Sequence, residues 1–445
     1  MAEEKRKIIV LDDDPTGIQT VHGVCVYTDW TEASIRSGFL ESNTMFFLLT
    51  NSRGLTAEET RKVHWDIGRR IARVSRETGI PFLLISRGDS TLRGHYPLET
   101  DTLRKVLEEE GILVDGEIIC PFFPEGGRYT AGDTHYVAEG NRLVPAGETE
   151  FARDRTFGYS SSDLKAWIEE KSGGAYRREH VISFSLEELR SGDDMRLIEK
   201  LNDVRDCQKV IVNAVEYRDL EAFAKACLCC MDSGKQFLFR TAAAMPKVMG
   251  NIPDIGLLQP EQLKDSGNQS GGLIVIGSHV GKTTRQLEAL RRDTRIQLIE
   301  FQVDLVCRDV EFISEQNRVI SEMRDCIGAG RTVALYTSRK RVEADTGNRE
   351  DDLRLSVKIS EALTGLVASL DIRPSFIVAK GGITSSDVGI KGLRVKKAYV
   401  MGQVLPGIPV WKTGPESRFP GMAYVIFPGN VGSDTALYDI VERLL

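Results

Sequence analysis

Ile8-Ile9-Val10-Leu11-Asp12-Asp13-Asp14-Pro15-Thr16-Gly17 is the stretch on which the fold turns. Its four leading apolar residues run without alternation, the pattern of a strand buried on both faces of a parallel sheet. Three carboxylates follow at once, and Pro15 and Gly17 punctuate the turn that ends the run. Like charges this close repel, so a purely structural role is a poor reading. They need a cation, a metal or a proton to coexist.

Outward from that strand, apolar runs of strand length alternate with helical periodicity. Candidate strands fall at 8–11, 45–50, 82–86, 117–120, 181–184, 209–213 and 236–240, with helices at 56–78 and 98–110 between the first of them. This order predicts an α/β fold with largely parallel sheets. At 445 residues the chain is too long for one ordinary core. Residues 251–272 hold two prolines and four glycines and read as a linker, which gives a first domain over 1–250 and a second over 273–445. In the second, strands at 273–276, 332–336 and 375–379 alternate with helices at 283–291, 352–369 and 435–445. Residues 121–157 are rich in glycine, proline and polar side chains, and a loop of that length inside a domain is expected to be functional or a lid.

Hydrophobic residues make up 41% and charged residues 28%, a soluble globular mix. The net charge of −7 gives no support to a nucleic-acid partner held by bulk phosphate neutralisation. No apolar run reaches the roughly 18 residues of a membrane span, and the few apolar residues after the charged N-terminus are too short for a signal peptide. Cys227 and Cys230 form a C-x-x-C with no second pair, so core packing in a helix is expected rather than zinc. The expected location is cytoplasmic, with reduced thiols, no membrane partner and a homo-oligomer allowed.

Three glycine-bearing turns follow apparent strands in the second half. Gly277-Ser278-His279-Val280-Gly281-Lys282-Thr283 is one residue short of a P-loop, so the cradle of consecutive N–H groups is not expected. A strand-to-helix turn whose serine or backbone touches nucleotide fits better. Lys380-Gly381-Gly382-Ile383-Thr384-Ser385 and Pro428-Gly429-Asn430-Val431-Gly432 complete the set. Glycines let a backbone approach an anion, and free N–H groups at a helix start bind it. Each turn alone fits an ordinary capped turn; three at strand ends point to a ligand site.

In the first half, Asn51-Ser52-Arg53-Gly54 and Ser86-Arg87-Gly88-Asp89-Ser90-Thr91-Leu92-Arg93-Gly94 also close strands. Arginines capture carboxylates in a bidentate fork and hydroxyls suit a polyol, so Arg53, Arg87 and Arg93 beside Asp12, Asp13, Asp89 and Ser90 read as a site for a small hydroxy acid. The competing reading is the D-x-D-x-T of a haloacid-dehalogenase-type phosphatase, with Asp12 as nucleophile and Mg²⁺ on the phosphate. A third is a sensor that binds an acid sugar without turning it over. His22, His95 and His135 beside these motifs are expected in plain polar packing.

These motifs together resemble the four-carbon acid sugar kinase family over nearly the whole chain. Asp12-Asp13-Asp14-Pro15-Thr16-Gly17, Ser52-Arg53-Gly54, Asp89-Ser90-Thr91-Leu92-Arg93-Gly94 and Pro121-Phe122-Phe123-Pro124-Glu125-Gly126-Gly127-Arg128 match its first domain. Gly277-Ser278, Gly381-Gly382-Ile383-Thr384-Ser385, Pro406-Gly407-Ile408-Pro409-Val410-Trp411 and Gly429-Asn430-Val431-Gly432 match its second in order. Where the family carries lysine-serine before the last glycine-asparagine, this chain has Phe427-Pro428. The resemblance implies two domains with an active site in the cleft between them, and ATP with Mg²⁺ as phosphoryl donor to a sugar acid. Asp13, Arg53, Asp89, Ser90 and Arg93 would bind substrate, Asp13 or Asp89 taking the proton and Arg53 pairing the carboxylate. Ser278, Gly381, Gly382, Thr384, Ser385, Gly429, Asn430 and, in the same loop, Gly432 would bind nucleotide.

Overall fold

The protein is described from a computed structural model that covers residues 6–265, 267–278, 280–339, 349–429 and 431–445. It divides into two units, residues 1–254 and 255–445. The first is built on strands β1 (Lys7–Asp12), β2 (Cys25–Tyr27), β3 (Met45–Leu49), β4 (Phe82–Arg87) and β5 (Gly116–Cys120), then β6 (Arg128–Ala131), β7 (Thr134–Glu139) and β8 (Arg142–Pro145), and finally β9 (Ile182–Phe184), β10 (Gln208–Val212) and β11 (Phe237–Thr241). Its main sheet runs β2-β3-β1-β4-β11-β5-β10-β9, and every pairing is parallel.

The sequence explains this sheet strand by strand. Ile8 to Leu11 and Phe46 to Leu49 are all buried, because helices cover both faces of a parallel sheet. Helix Ala57–Thr78 starts at a capping box: the Thr56 hydroxyl accepts the Glu59 N–H, and the Glu59 carboxylate accepts the Thr56 N–H. Its Ile67, Ile71 and Val74 pack with Leu103 and Leu107 of helix Leu98–Glu109 against Ile9, Leu11 and Leu84.

The stretch 121–157, expected as one long loop, instead holds a three-stranded antiparallel meander, β6-β7-β8. Its hairpin turns at Gly132 and Asp133, both at positive φ, the backbone that suits the strand twist. Short strands with polar faces and a Gly-Asp turn carry little apolar periodicity, which is why they read as loop. Cys227 and Cys230 are buried in helix Tyr217–Asp232.

The second unit has β12 (Leu273–Ile276), β13 (Ile296–Phe301), β14 (Thr332–Thr337), β15 (Ile377–Lys380), β16 (Lys397–Leu405), β17 (Ile408–Thr413) and β18 (Ala423–Phe427). The order is β13-β14-β12-β15-β18-β17-β16; the first five are parallel, and β17 and β16 are antiparallel additions. Of the stretch 251–272 read as a linker, the residues from Ile255 onward belong to this unit. The Leu258 N–H donates to Gln403, a short helix spans Pro260–Leu263, and Leu258 and Leu263 are buried with Ile274, Val378 and Leu437. Leu257, Leu258 and Leu263 among polar residues, glycine and proline do not signal a core segment on their own.

Both sheets contain a topological switch point. From β1 the chain leaves toward β2 and β3, and from β4 it leaves toward β5, on the opposite side. From β12 it leaves toward β13 and β14, and from β15 toward β16 to β18. The carboxyl ends of β1 and β4, and of β12 and β15, are therefore the two places where such sheets leave a crevice for a ligand.

Candidate functional site

Both switch points carry the motifs singled out from sequence. At the first, Asp12 ends β1 in register with Arg87 at the end of β4, and Arg53 lies in the turn after β3. The Arg53 guanidinium grips Asp13 through two bonds, Nε to Oδ2 at 3.1 Å and Nη2 to Oδ1 at 2.7 Å. The same Nη2 is 2.5 Å from Asp14 Oδ2, and Nη1 is 3.9 Å from Asp89 Oδ1. Arg87 Nη1 stands 3.2, 3.3 and 3.7 Å from oxygens of Asp12, Asp13 and Asp14. Arg93 Nε donates to Asp89 Oδ2 at 2.7 Å. Asp12, Asp13, Arg53, Arg87, Asp89 and Arg93 thus form one cluster.

Burial and partners set each carboxyl apart. Asp12 is 2% exposed, and burial pushes its pKa well up despite Arg87. Burial also raises Asp13, against the pull of Arg53. Asp14 is lowered: Arg53 and Arg87 outweigh its burial, helped by Thr16, whose N–H and hydroxyl both bond it. Asp89 is driven far below the carboxylate range because Arg53 and Arg93 overcome its burial. A phosphatase nucleophile at Asp12 is ill served here. Its carboxylate packs against Gly17, where a Cβ would stand only 2.1 Å from both oxygens.

One oxygen each of Asp12, Asp13 and Asp14 lie within 4.8 Å of one another, a span a cation could bridge. Arg53 and Arg87 already supply that cation, so the triad does not fit a dedicated Mg²⁺ site.

Distant residues hold the cluster. Arg240 on β11 reaches Glu99 Oε2 at 3.2 Å and the Arg93 carbonyl at 3.2 Å, and Ser52 donates to Glu99 Oε1 at 2.6 Å. Gly88 makes room for it, since a Cβ there would lie 1.7 Å from Arg240 Nη1. His135 on β7 is buried, its pKa pushed down to about 4 by burial, and its Nε2 donates to the Ser90 carbonyl at 2.8 Å. Ser90, expected to bind substrate, is itself buried. His22 and His95 bond the carbonyls of Pro253 and Leu55, at 2.9 Å each.

At the second switch point a cavity of about 420 Å³ is lined by Gly277, Ser278, Thr337, Ser356, Ser360, Gly381, Gly382 and Thr384, with Ile359, Ile383 and Leu363 as its apolar wall. Gly277 and Gly381 are required: added Cβ atoms would meet Thr384 Oγ1 at 2.4 and 3.2 Å, and Gly381 sits at φ +118°. Ser278, Gly381, Gly382 and Thr384 therefore come together as expected from the sequence. Ser385 does not join them, because it is buried and its hydroxyl donates to the Ala379 and Gly381 carbonyls. Gly432, at φ +80°, packs where a Cβ would stand 2.5 Å from Ala436. Asn430 lies outside the described residues.

One side chain that bonds the third turn is given no role by the motifs. Lys380, fully buried at the end of β15, donates to the Pro428 and Gly429 carbonyls at 2.6 and 2.9 Å and lies over the Phe427 ring. Burial, with Lys282 nearby, pulls its pKa down to about 7. Arg339 spans from the Ser278 carbonyl to Thr284 Oγ1, both at 2.7 Å.

Residues 8–249 match the model of a sugar-binding N-terminal domain, and 273–437 that of a nucleotide-binding C-terminal domain. No curated protein matches the sequence. Among solved structures, a Haemophilus influenzae protein of the DUF1537 family is 16% identical, with a TM-score of 0.61 over 98% of this chain and 100% of that one. A Salmonella typhimurium LT2 protein described as a candidate tRNA synthase is 14% identical, with a TM-score of 0.68 over 98% and 99%. A Bordetella bronchiseptica DUF1537 domain, a domain-swapped dimer with bound citrate, is 18% identical with a TM-score of 0.41 over 98% of both chains. At these identities the likeness to the first two speaks for the fold. The matched domain models cover most of the chain in the right order, and it belongs to the family that joins a sugar-binding N-terminal domain to a nucleotide-binding C-terminal domain, the four-carbon acid sugar kinase architecture.

Proposed function

We propose that the protein is an ATP-dependent kinase that phosphorylates a hydroxyl of a small sugar acid, a four-carbon one on the family resemblance. The observation that carries this reading is the pair of switch points: one lined by arginines and carboxylates, the other by glycines and hydroxyls around a cavity. The first chemistry suits a charged polyol, and the second suits a nucleotide approached by backbone N–H groups.

In this reading the substrate hydroxyl attacks the γ-phosphorus of ATP. A new O–P bond forms as the bond to the β-phosphate oxygen breaks, and ADP leaves. The hydroxyl proton passes to Asp13. Asp13 is the stronger base of the two candidates, since burial raises it whereas Arg53 and Arg93 hold Asp89 as a weakly basic anion. Gly94, at φ +118°, keeps the space in front of Asp13 Oδ2 clear of a side chain. Mg²⁺ is expected with ATP; the one cluster of three carboxylates found among the described residues, Asp12, Asp13 and Asp14, is already met by Arg53 and Arg87, and these steps use the chain's own groups.

The test is ADP release in the presence of ATP across a panel of aldonic and 3-oxo acids, with melting shifts measured in parallel. Acid-dependent ADP formation is expected. Melting shifts with no ADP would favour a sensor. Phosphate release without ATP, abolished by Asp12→Asn, would favour the phosphatase.

A further inference from the structure

The carboxylate of a sugar acid needs a cation that is not already spoken for. Of the arginines around Asp89, Arg53 is bound to Asp13 and Asp14, Arg87 faces all three residues of the acidic triad, and Arg93 is bound to Asp89. Arg240 is paired with Glu99. Arg128, the first residue of β6, differs. Among the described residues its side chain makes no hydrogen bond and has no carboxylate at ion-pair distance, and its Nε is buried without a partner.

The surroundings of Arg128 are nonetheless those of the site. Its guanidinium lies over the Phe151 ring at 5.6 Å, and Arg93, the partner of Asp89, lies over the same ring at 5.1 Å. The backbone is pinned: Arg128 N–H donates to Phe123 at 2.9 Å, Phe123 N–H returns to Arg128 at 3.0 Å, and Arg128 pairs with Val137 on β7. The neighbouring β7 residue His135 holds the Ser90 carbonyl. Burial drags the guanidinium's pKa down, with Asp89 only partly offsetting it and Arg93 opposing. Desolvating part of an arginine without pairing it is unfavourable, and that cost is recovered when an anion arrives.

We infer that Arg128 is the receptor for the substrate's carboxylate, while Arg53 and Arg87 hold the acidic loop of the ligand-free site. The inference rests on the sugar-acid reading of the first unit. The same guanidinium chemistry would accept a phosphoryl group, so the experiment separates the two sources.

The full-length protein is titrated calorimetrically, without nucleotide, with D-erythronate and D-threonate and with the uncharged polyols erythritol and threitol; ADP and inorganic phosphate form the second arm. Wild type is expected to prefer an acid over its polyol by about 30-fold or more, the range of a charge-assisted hydrogen bond. Arg128→Met should bring the acid down to the polyol's affinity, and Arg128→Lys should restore part of the difference. The unliganded melting temperature of Arg128→Met should equal or exceed that of wild type, since a half-buried charge with no partner among the described residues is removed. The inference is overturned if Arg128→Met keeps the acid preference, if acid and polyol weaken together, if only ADP or phosphate binding changes, or if wild type shows no acid preference. Turnover is scored apart. Acid binding lost in Arg128→Met while no protein forms ADP would defeat the kinase reading and leave the receptor standing.

Discussion

The two switch points handle anions by opposite means. In the first unit, Arg53, Arg87 and Arg93 are matched against Asp12, Asp13, Asp14 and Asp89 in a cluster that is mostly buried. In the second, the cavity is lined by glycine backbone, hydroxyls and aliphatic side chains, and the buried cation beside it, Lys380, bonds only to carbonyls among the described residues. Opposed buried charges fix geometry, because each partner is costly to move. Backbone dipoles commit little charge in advance and accept whatever phosphate arrives. The contrast suits the proposed roles, selection of one small acid by the first unit and uptake of a common nucleotide by the second.

The comparison breaks most visibly at Asp13. Asp13→Asn keeps the shape but removes the proposed base, and kcat should fall by about 10²- to 10⁴-fold, the usual worth of a positioned proton acceptor. Asp89→Asn should act mainly on the KM of the acid. Near-normal kcat in Asp13→Asn would move the base to Asp89. Since burial raises Asp13, the acid limb of the kcat profile should lie above the ordinary carboxylate range: activity falls as pH drops through the raised pKa and protonates the base.

A smaller effect distinguishes the glycines of the two sites. Gly88→Ala would drive a Cβ into Arg240, whose guanidinium is pinned by Glu99 and the Arg93 carbonyl. Overpacking of this kind costs about 1–3 kcal/mol, and the melting temperature should fall with acid affinity. Gly382→Ala meets nothing within 4 Å. Its melting temperature should stay at the wild-type value while the KM for ATP rises. If Gly382→Ala destabilises and Gly88→Ala does not, the contrast between a charge-locked loop and an open backbone is wrong.

The residues legible from sequence were those whose chemistry is local. Asp12 to Gly17, Arg53 and Asp89 to Arg93 follow apolar runs that close strands, and parallel pairing brings strand ends together. The supporting residues were hidden by distance. Arg240 touches a carbonyl 147 positions away, and His135 one 45 positions away. Arg240 is the one charged side chain of an apolar strand, and His135, legible only as polar packing, lies in a stretch whose strands the sequence does not signal. Arg128 lies within a motif, yet that its side chain has no partner among the described residues is a fact of three dimensions. Lys380 was missed for another reason. Followed by two glycines it read as the start of a turn, whereas it is the buried last residue of β15. Ser385 erred the other way: a hydroxyl beside glycines looked ready for a ligand, and the backbone had already claimed it.

Lys380 gives the subtlest measure of the contrast, through pH. The Phe427-Pro428 pair stands where the family resemblance puts lysine and serine, and Lys380 on the adjacent strand β15 sends its ammonium to that same loop. Its folded pKa is about 7 against 10.5 for the free side chain. Between those values the unfolded chain holds a proton that the folded chain has shed, so stability rises as pH goes from about 7 toward 10.5. The rise is at most about 1.4 kcal/mol per pH unit for a single proton. Lys380→Met removes this group, so the gap in melting temperature between wild type and variant should shift in favour of wild type across that window. If phosphates draw the proton back, ATP binding at pH 8 should take up protons in wild type but not in Lys380→Met, read from calorimetry in buffers of different ionisation enthalpy. Equal uptake in both would reduce Lys380 to a pin for the loop, and the second site would then meet its anion with backbone and hydroxyl groups instead of that ammonium.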